Sequence, residues 1–235
     1  MKLITIFSYC DTIGPVMGSS VPRLDLFFAK FKPLHYKKGE TILRAGDPPA
    51  GVLYLKKGFI RLYSISRDGE ELTLIIFKQG DFFPIMWAIN ATPNTYFLEA
   101  MTPVVLWCSP REKFLEFVQS DKRALFELTS MMLTRFGGLL TRMEYLVFGN
   151  AINKVASILL ICAERFGKKK GRTTVIQAPL IHSDIASLVG ITRETASIEM
   201  KKLEKEGAIA YRGHLLVIKS FMGLKKHLLS DTYKS

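Results

Sequence analysis

Apolar and polar positions alternate in short runs through HYKKGETILRAGDPPAGVLYLKKGFIRLYSISRDGEELTLIIFKQGDFF, residues 35–83. Leu53 and Leu55, then Ile60, Leu62 and Tyr63, then residues 72–77 each fit a half-buried strand. Turn signals cut these runs at Lys38-Gly39, Gly46-Asp47-Pro48, Lys57-Gly58, Asp68-Gly69 and Gly80-Asp81. Spacing of roughly 8 to 12 residues between turns predicts a small barrel or jelly roll. Asp68-Gly69 is a hairpin signal, because glycine supplies the positive φ that a tight turn requires. Just upstream, RLDLFFAKF predicts a short amphipathic helix.

The period then changes from two to between three and four. Residues 121–148 contain no proline, and Leu125, Leu128, Met132, Phe136, Leu139, Met143 and Leu146 recur at helical spacing. At about 1.5 Å per residue such a helix exceeds ~35 Å, more than one small barrel needs. Part of its stripe must therefore pack on something else. An intrachain core fits this, and so does a homodimer helix pair through Leu128, Met132, Phe136, Leu139 and Met143. Gly137-Gly138 in its middle predicts a bend or a close approach.

From residue 150 the order is an apolar helix (AINKVASILLICAERFG), a basic loop (KKKGRT), two short helices over 183–189 and 193–206 joined by Gly190-Ile191-Thr192, and two strands around Arg212-Gly213. That order describes a winged helix-turn-helix. Ile185, Ala186 and Val189 give the first helix an inner face, Ile191 plugs the turn, and Ala196, Met200 and Leu203 bury the second helix. Arg193, Glu194, Ser197 and Lys201 share the opposite side. An arginine fork suits guanine O6 and N7, and a glutamate accepts from cytosine N4, so Arg193, Glu194 and Ser197 are the candidate base readers. Thr192, Thr195, Lys201, Lys202 and Arg212, with His214 beside it, are candidates for phosphate contact.

Charge sharpens this assignment. Of a formal net charge of +12, residues 1–149 carry +4 and residues 150–235 carry +8, so a polyanionic partner belongs with the C-terminal part. Three scattered cysteines, Cys10, Cys108 and Cys162, form no CxxC, which argues against a disulfide framework or a Cys-rich metal site. The apolar stretch at residues 1–10 is too short for a membrane span, and prolines interrupt the charge-free run at 82–98. A cytoplasmic location is expected, and Met17 is an alternative start. No paired-carboxylate cleft, nucleophile–histidine motif, metal-ligand cluster or Walker loop is present in the sequence, so an enzyme is not expected.

HSDIASLVGITRETASIEMKKLEKEGAI, together with KKGETILRAGD and GVLYLKKGFIRLYSISRDGEELTLIIFKQGDFF upstream, resembles the Crp/Fnr transcription regulators over residues 21–218. The resemblance implies an α+β chain with three parts. These are an N-terminal double-stranded β-helix or jelly-roll sensor of the cyclic-nucleotide-binding type at 21–120, a long dimerisation helix at 121–149, and a winged helix-turn-helix at 150–235. It implies double-stranded DNA and a second copy of the chain as partners, with RNA polymerase and a small-molecule effector as further partners. Arg193 and Glu194 fall on family base-reading positions, and Ser197 matches a serine of the Fnr branch. Ile198 departs from the arginine found in many members, and Ile181 from the usual capping threonine, leaving Ser183 or His182 as caps.

The sensor half departs further. The family holds cyclic AMP through a glutamate and an arginine after the Gly-Asp turn. Here Pro84 and Ile85 occupy the glycine and glutamate places, and no lysine or arginine occurs between Lys78 and Arg111. A phosphate without a cation in an apolar pocket is poorly compensated, so weak or no cyclic nucleotide binding is expected. Three cysteines do not supply the Fnr iron–sulfur cluster, and His35 is the sensor's only histidine, so no cofactor is expected. Phe82, Phe83, Trp87, Tyr96 and Phe97 are either plain core or the lining of an effector pocket. The alternative to a DNA-binding regulator is a ligand-binding signalling module whose DNA-binding half is vestigial.

Overall fold

The computed structural model describes residues 23–229; the apolar start and Met17 lie outside the described residues. The alternating runs become β1 (Pro33–Tyr36), β2 (Thr41–Leu43), β3 (Val52–Lys57), β4 (Ile60–Ile65), β5 (Glu71–Phe77), β6 (Phe82–Phe83), β7 (Phe97–Ala100) and β8 (Val104–Ser109). They pair antiparallel in two four-stranded sheets, ordered β1-β8-β3-β6 and β2-β7-β4-β5. Leu53, Leu55, Ile60, Phe77, Phe83, Leu98 and Leu106 fill the space between the sheets. The β3–β4 turn demands glycine twice over. Gly58 has φ +99, and a Cβ there would lie 2.5 Å from the Pro103 carbonyl oxygen. Asp68-Gly69 makes the expected turn, with Gly69 at φ +85.

Three short helices flank the roll: α1 (Arg23–Phe28), α2 (Ile85–Asn90) and α3 (Arg111–Ser120). With the start of α4 (Lys122–Phe148) they enclose a second core of Phe28, Tyr54, Phe82, Phe114, Val118 and Leu128. Asp121 caps α4, its carboxylate accepting from the Arg123 and Ala124 amides and pairing with Arg23. At 27 residues α4 runs about 40 Å, unbroken through Gly137-Gly138.

The apolar positions of α4 divide into two stripes rather than one. Leu128 and Met132, expected on the dimer stripe, pack on the chain's own second core. Phe126, Leu133, Phe136, Leu140, Met143 and Val147 face solvent instead, Leu133 with 64% of its surface exposed. These six fall on two seven-residue repeats three positions apart, the a/d pattern of a left-handed helix pair. Phe136 and Met143 therefore stand on the outward seam, and Leu139 lies exposed at its flank. A threes-and-fours count merges the two stripes, because a straight helix drifts about 20° per heptad against a strict seven-residue repeat.

Beyond the Asn150 cap, α5 (Ala151–Phe166) leads into β9 (Gly167–Lys170), β10 (Thr173–Ile176), α6 (His182–Val189), α7 (Arg193–Lys205), β11 (Ile209–Arg212), β12 (Leu215–Ile218) and α8 (Phe221–Lys225). The lysine run expected as a loop is an edge strand: Lys168, Lys169 and Lys170 pair with Val175, Thr174 and Thr173. The apolar strand β10 recruits it, Gly171 at φ +62 closes the hairpin, and exposed lysines keep the edge soluble. The sheet order is β11-β12-β10-β9. Ile181 precedes α6 without a side-chain cap; Asp184 instead accepts the Ile181 N–H at 2.8 Å, so neither Ser183 nor His182 caps the helix.

The two halves are joined along β5, the outer strand of its sheet. A bulge leaves Leu74 unpaired, because Tyr63 faces Thr73 and Leu62 faces Ile75. Ser187 of α6 accepts the Thr73 N–H at 2.9 Å, and the two hydroxyls lie 2.7 Å apart. Arg142 of α4 donates to the Leu74 and Thr73 carbonyls at 2.7 and 2.6 Å and to the Leu188 carbonyl at the end of α6. A second junction centres on buried Asp81, 2.7 Å from Arg135 of α4 and 3.6 Å from Arg165 of α5. Burial in the core pushes the Cys162 thiol up to about 12, the nearby arginines offsetting only part of this.

Candidate nucleic-acid interface

Local chemistry fixes the α6–α7 turn. Gly190 ends α6 in the left-handed region at φ +63, donating to the Ala186 carbonyl. Thr192 then caps α7, accepting the Thr195 N–H at 3.1 Å, and the two threonine hydroxyls sit 2.9 Å apart. Ala196, Met200 and Leu203 are buried, while Ile191 packs half-buried against the same core. One face of α7 is thereby anchored and the other faces water.

Arg193 and Glu194 are exposed in the first turn, and no hydrogen bond or ion pair engages either among the described residues. Lys201 and Lys202 are exposed farther along, Thr192 at the cap, and Arg212 and His214 on the β11–β12 wing. Ser197 is placed differently from the others. It is half-buried, and its hydroxyl lies 3.2 Å from His182 Nδ1, whose Nε2 lies 2.9 Å from the Tyr211 hydroxyl. Burial, and secondarily Glu204, push Tyr211 up to about 12, so its hydroxyl keeps its proton. His182 therefore sits within hydrogen-bond distance of both hydroxyls, with its donor and acceptor roles set by its tautomer. His182 and Tyr211 thus orient Ser197 from the neighbouring helix and the wing. No spacing in the sequence announces this relay.

The basic character of α7 is also managed. Glu206 at its end pairs with Lys226 at 2.8 Å and His227 at 2.7 Å, and these two hold its carboxyl down to about 2. Among the described residues Lys201, Lys202 and Lys205 form no salt bridge with it, so their charge faces outward around the exposed Ile198.

In the sensor half the five candidate pocket aromatics are divided among clusters, with Phe82 and Trp87 both at the second core. Phe82 joins the second core and Phe83 the inter-sheet core. Phe97 stacks on Tyr63 at 5.3 Å, and Trp87 packs beside the Arg111 guanidinium. Tyr96 is half-buried, next to the Asn94 amide that bonds its carbonyl. Phe82 and Phe83 part because neighbouring residues on a strand point to opposite faces. A cavity of about 610 Å³ lies elsewhere, where Tyr54, Phe59 and Lys78 of the roll meet Arg165, Phe166 and Gln177. At the cyclic-nucleotide place Ile85 opens α2, and Arg111, the first cation after Lys78, spends its guanidinium on the Trp87 and Ile89 carbonyls.

Residues 33–121 match the model of the cyclic nucleotide-binding domain, and residues 153–227 match the Crp-like helix-turn-helix domain. The chain belongs to the Crp/Fnr family. The chain is a DNA-binding transcription regulator of that type. It is 28% identical over 178 residues to the nitrogen fixation regulation protein FixK of Bradyrhizobium diazoefficiens, covering 75% of this chain and 73% of that one. It is 24% identical over 198 residues to the cAMP-activated global transcriptional regulator CRP of Pasteurella multocida, covering 84% and 94%. The solved structure of FixK2 from Bradyrhizobium japonicum superposes with a TM-score of 0.73 at 21% identity, covering 85% of this chain and 98% of that one, which shows the shared fold. Among the described residues of this regulator, no helix is long and apolar enough to cross a membrane.

Proposed function

We propose that this Crp/Fnr regulator binds a palindromic DNA site as a homodimer, each subunit laying α7 in a major groove. Arg193, Glu194 and Ser197 read base edges, while Thr192, Thr195, Lys201, Lys202 and Arg212 contact phosphates. The observation that carries this reading is the pair Arg193–Glu194, exposed and without a side-chain partner among the described residues, at the start of a helix whose other face is locked in a core. A carboxylate facing phosphates without a base to accept from would be a liability, so Glu194 makes sense as a reader. The outward seam of α4 supports the dimer, and two-fold symmetry then sets half-sites about 34 Å apart. The sensor works without cyclic AMP: Pro84 and Ile85 stand in the cassette, and Arg111 is already engaged.

Selection of bound duplexes from a random pool tests the function directly, and enrichment of a palindrome is the expected result. On the selected duplex, Arg193→Ala costs about 1–3 kcal/mol and relaxes one base pair. Lys201→Ala weakens cognate and scrambled duplexes alike. Equal losses on both duplexes for Arg193→Ala exclude base reading by that residue.

A further inference from the structure

Ile198 is 65% exposed on the second turn of α7, one turn beyond Glu194. At about 100° per residue it points almost directly away from Ala196, Met200 and Leu203, the residues that anchor the helix. An aliphatic side chain at that position makes no use of its apolar surface in the protomer. Its surroundings are cationic: Lys201, Lys202 and Lys205 line a shallow recess with it, and the one carboxylate there, Glu206, is taken up by Lys226 and His227. A collar of unpaired lysines fits a phosphate backbone, which selects a duplex as the occupant of this face. Within a major groove every base edge presents polar atoms, and thymine alone adds a methyl group. A branched aliphatic has no polar atom to offer and matches that methyl.

We infer that Ile198 is a specificity residue that packs on a thymine C5-methyl in each half-site. The inference rests on the docking of α7 proposed above and adds the base it selects for. It also gives Ile198 a role distinct from its neighbours: Glu194 accepts hydrogen bonds, the lysines hold phosphate, and Ile198 discriminates by apolar contact.

Uracil substitution tests this cleanly, because it removes only the methyl and leaves the hydrogen-bonding edge intact. On the duplex selected from the random pool, each symmetric thymine pair is replaced in turn by uracil, and affinity is read by fluorescence anisotropy. One pair is expected to weaken binding by about four-fold per half-site. Ile198→Ala is expected to bind the thymine and uracil duplexes equally, whereas Ile198→Val and Arg193→Ala retain a thymine preference. A melting curve on each variant confirms that this exposed position has not disturbed the fold. An enriched duplex with no methyl-dependent position overturns the inference alone. So does an Ile198→Ala variant that keeps the uracil penalty, or one that binds the selected duplex as tightly as the parent, which would hand this face to a protein partner. Failure to enrich any duplex overturns this inference and the proposed function together.

Discussion

Arg142 is the residue whose loss should most change how the two halves of the chain behave. It is only 8% exposed, yet among the described residues no carboxylate pairs with it; its guanidinium is held by three carbonyls from two other elements. Burial depresses its pKa, and an arginine so depressed still carries its charge at neutral pH. Bonds from a charged donor contribute about 1.5–3 kcal/mol each, against a desolvation cost of several kcal/mol for the ion. Its Nε is buried with no acceptor, which trims the gain further. Removing the group leaves the Thr73, Leu74 and Leu188 carbonyls short of a donor, at about 1–3 kcal/mol each before water enters. Arg142→Met keeps most of the stem and should therefore destabilise by about 3–5 kcal/mol, the cost of three orphaned carbonyls less the relieved desolvation of the ion. The loss falls on the joint rather than on either core. Calorimetry should show the single transition of the parent giving way to two, the first at least about 6 °C lower. Hydrogen exchange should quicken at β5 and at the end of α6 before it does in α5. A single transition within about 2 °C of the parent, with unchanged exchange at β5, would refute the reasoning.

Other outcomes follow from the same geometry. Burial raises the Asp184 carboxyl above its ordinary range, and the Ile181 amide, Arg61 and Lys38 offset only part of this. A raised carboxyl contributes stability when protonated and loses that contribution as pH rises through the folded value, so Asp184→Asn, which keeps an acceptor for Ile181, should be more stable than the parent at pH 7 and converge with it as pH falls below the ordinary carboxyl value of 3.8. Leu133→Asp places charge on the outward seam of α4 at a site 64% exposed in the protomer, so sedimentation should show monomers with unaltered circular dichroism. Cyclic AMP at 100 times a real dissociation constant would stabilise by about 2.7 kcal/mol; melting in ~1 mM cyclic AMP should show no shift.

Turn chemistry made the roll legible in the sequence. Gly58 and Gly69 adopt the positive φ that their positions called for, and strands fell between them. The helix pair around Gly190 was equally plain, because Thr192 and the buried trio Ala196, Met200 and Leu203 leave one orientation for Arg193 and Glu194. What stayed hidden depends on long-range pairing. Leu128 and Phe136 share a helical period, yet one meets the roll and the other meets solvent, and only the placement of the roll separates them. Phe82 and Phe83 read as one cluster but occupy opposite faces of a strand. The Ser197–His182–Tyr211 relay joins three elements across 29 positions of chain, beyond the reach of any local pattern. Arg142 shares its helical stripe with Arg135 seven residues earlier, and no local pattern sets it apart.

The placement of β5 also bears on modularity. Thr73 and Leu74 are capped by groups that arrive from α4 and α6, so cutting the chain after residue 149 would strip away Ser187 and the Leu188 carbonyl and uncover part of an unpaired, adhesive margin. An amputated sensor would then find its missing neighbour in another molecule, stacking edge against edge into aggregates. The reading head is thus also a lid on the machine beneath it, and the two could not have been shuffled independently without each new combination solving that stickiness afresh.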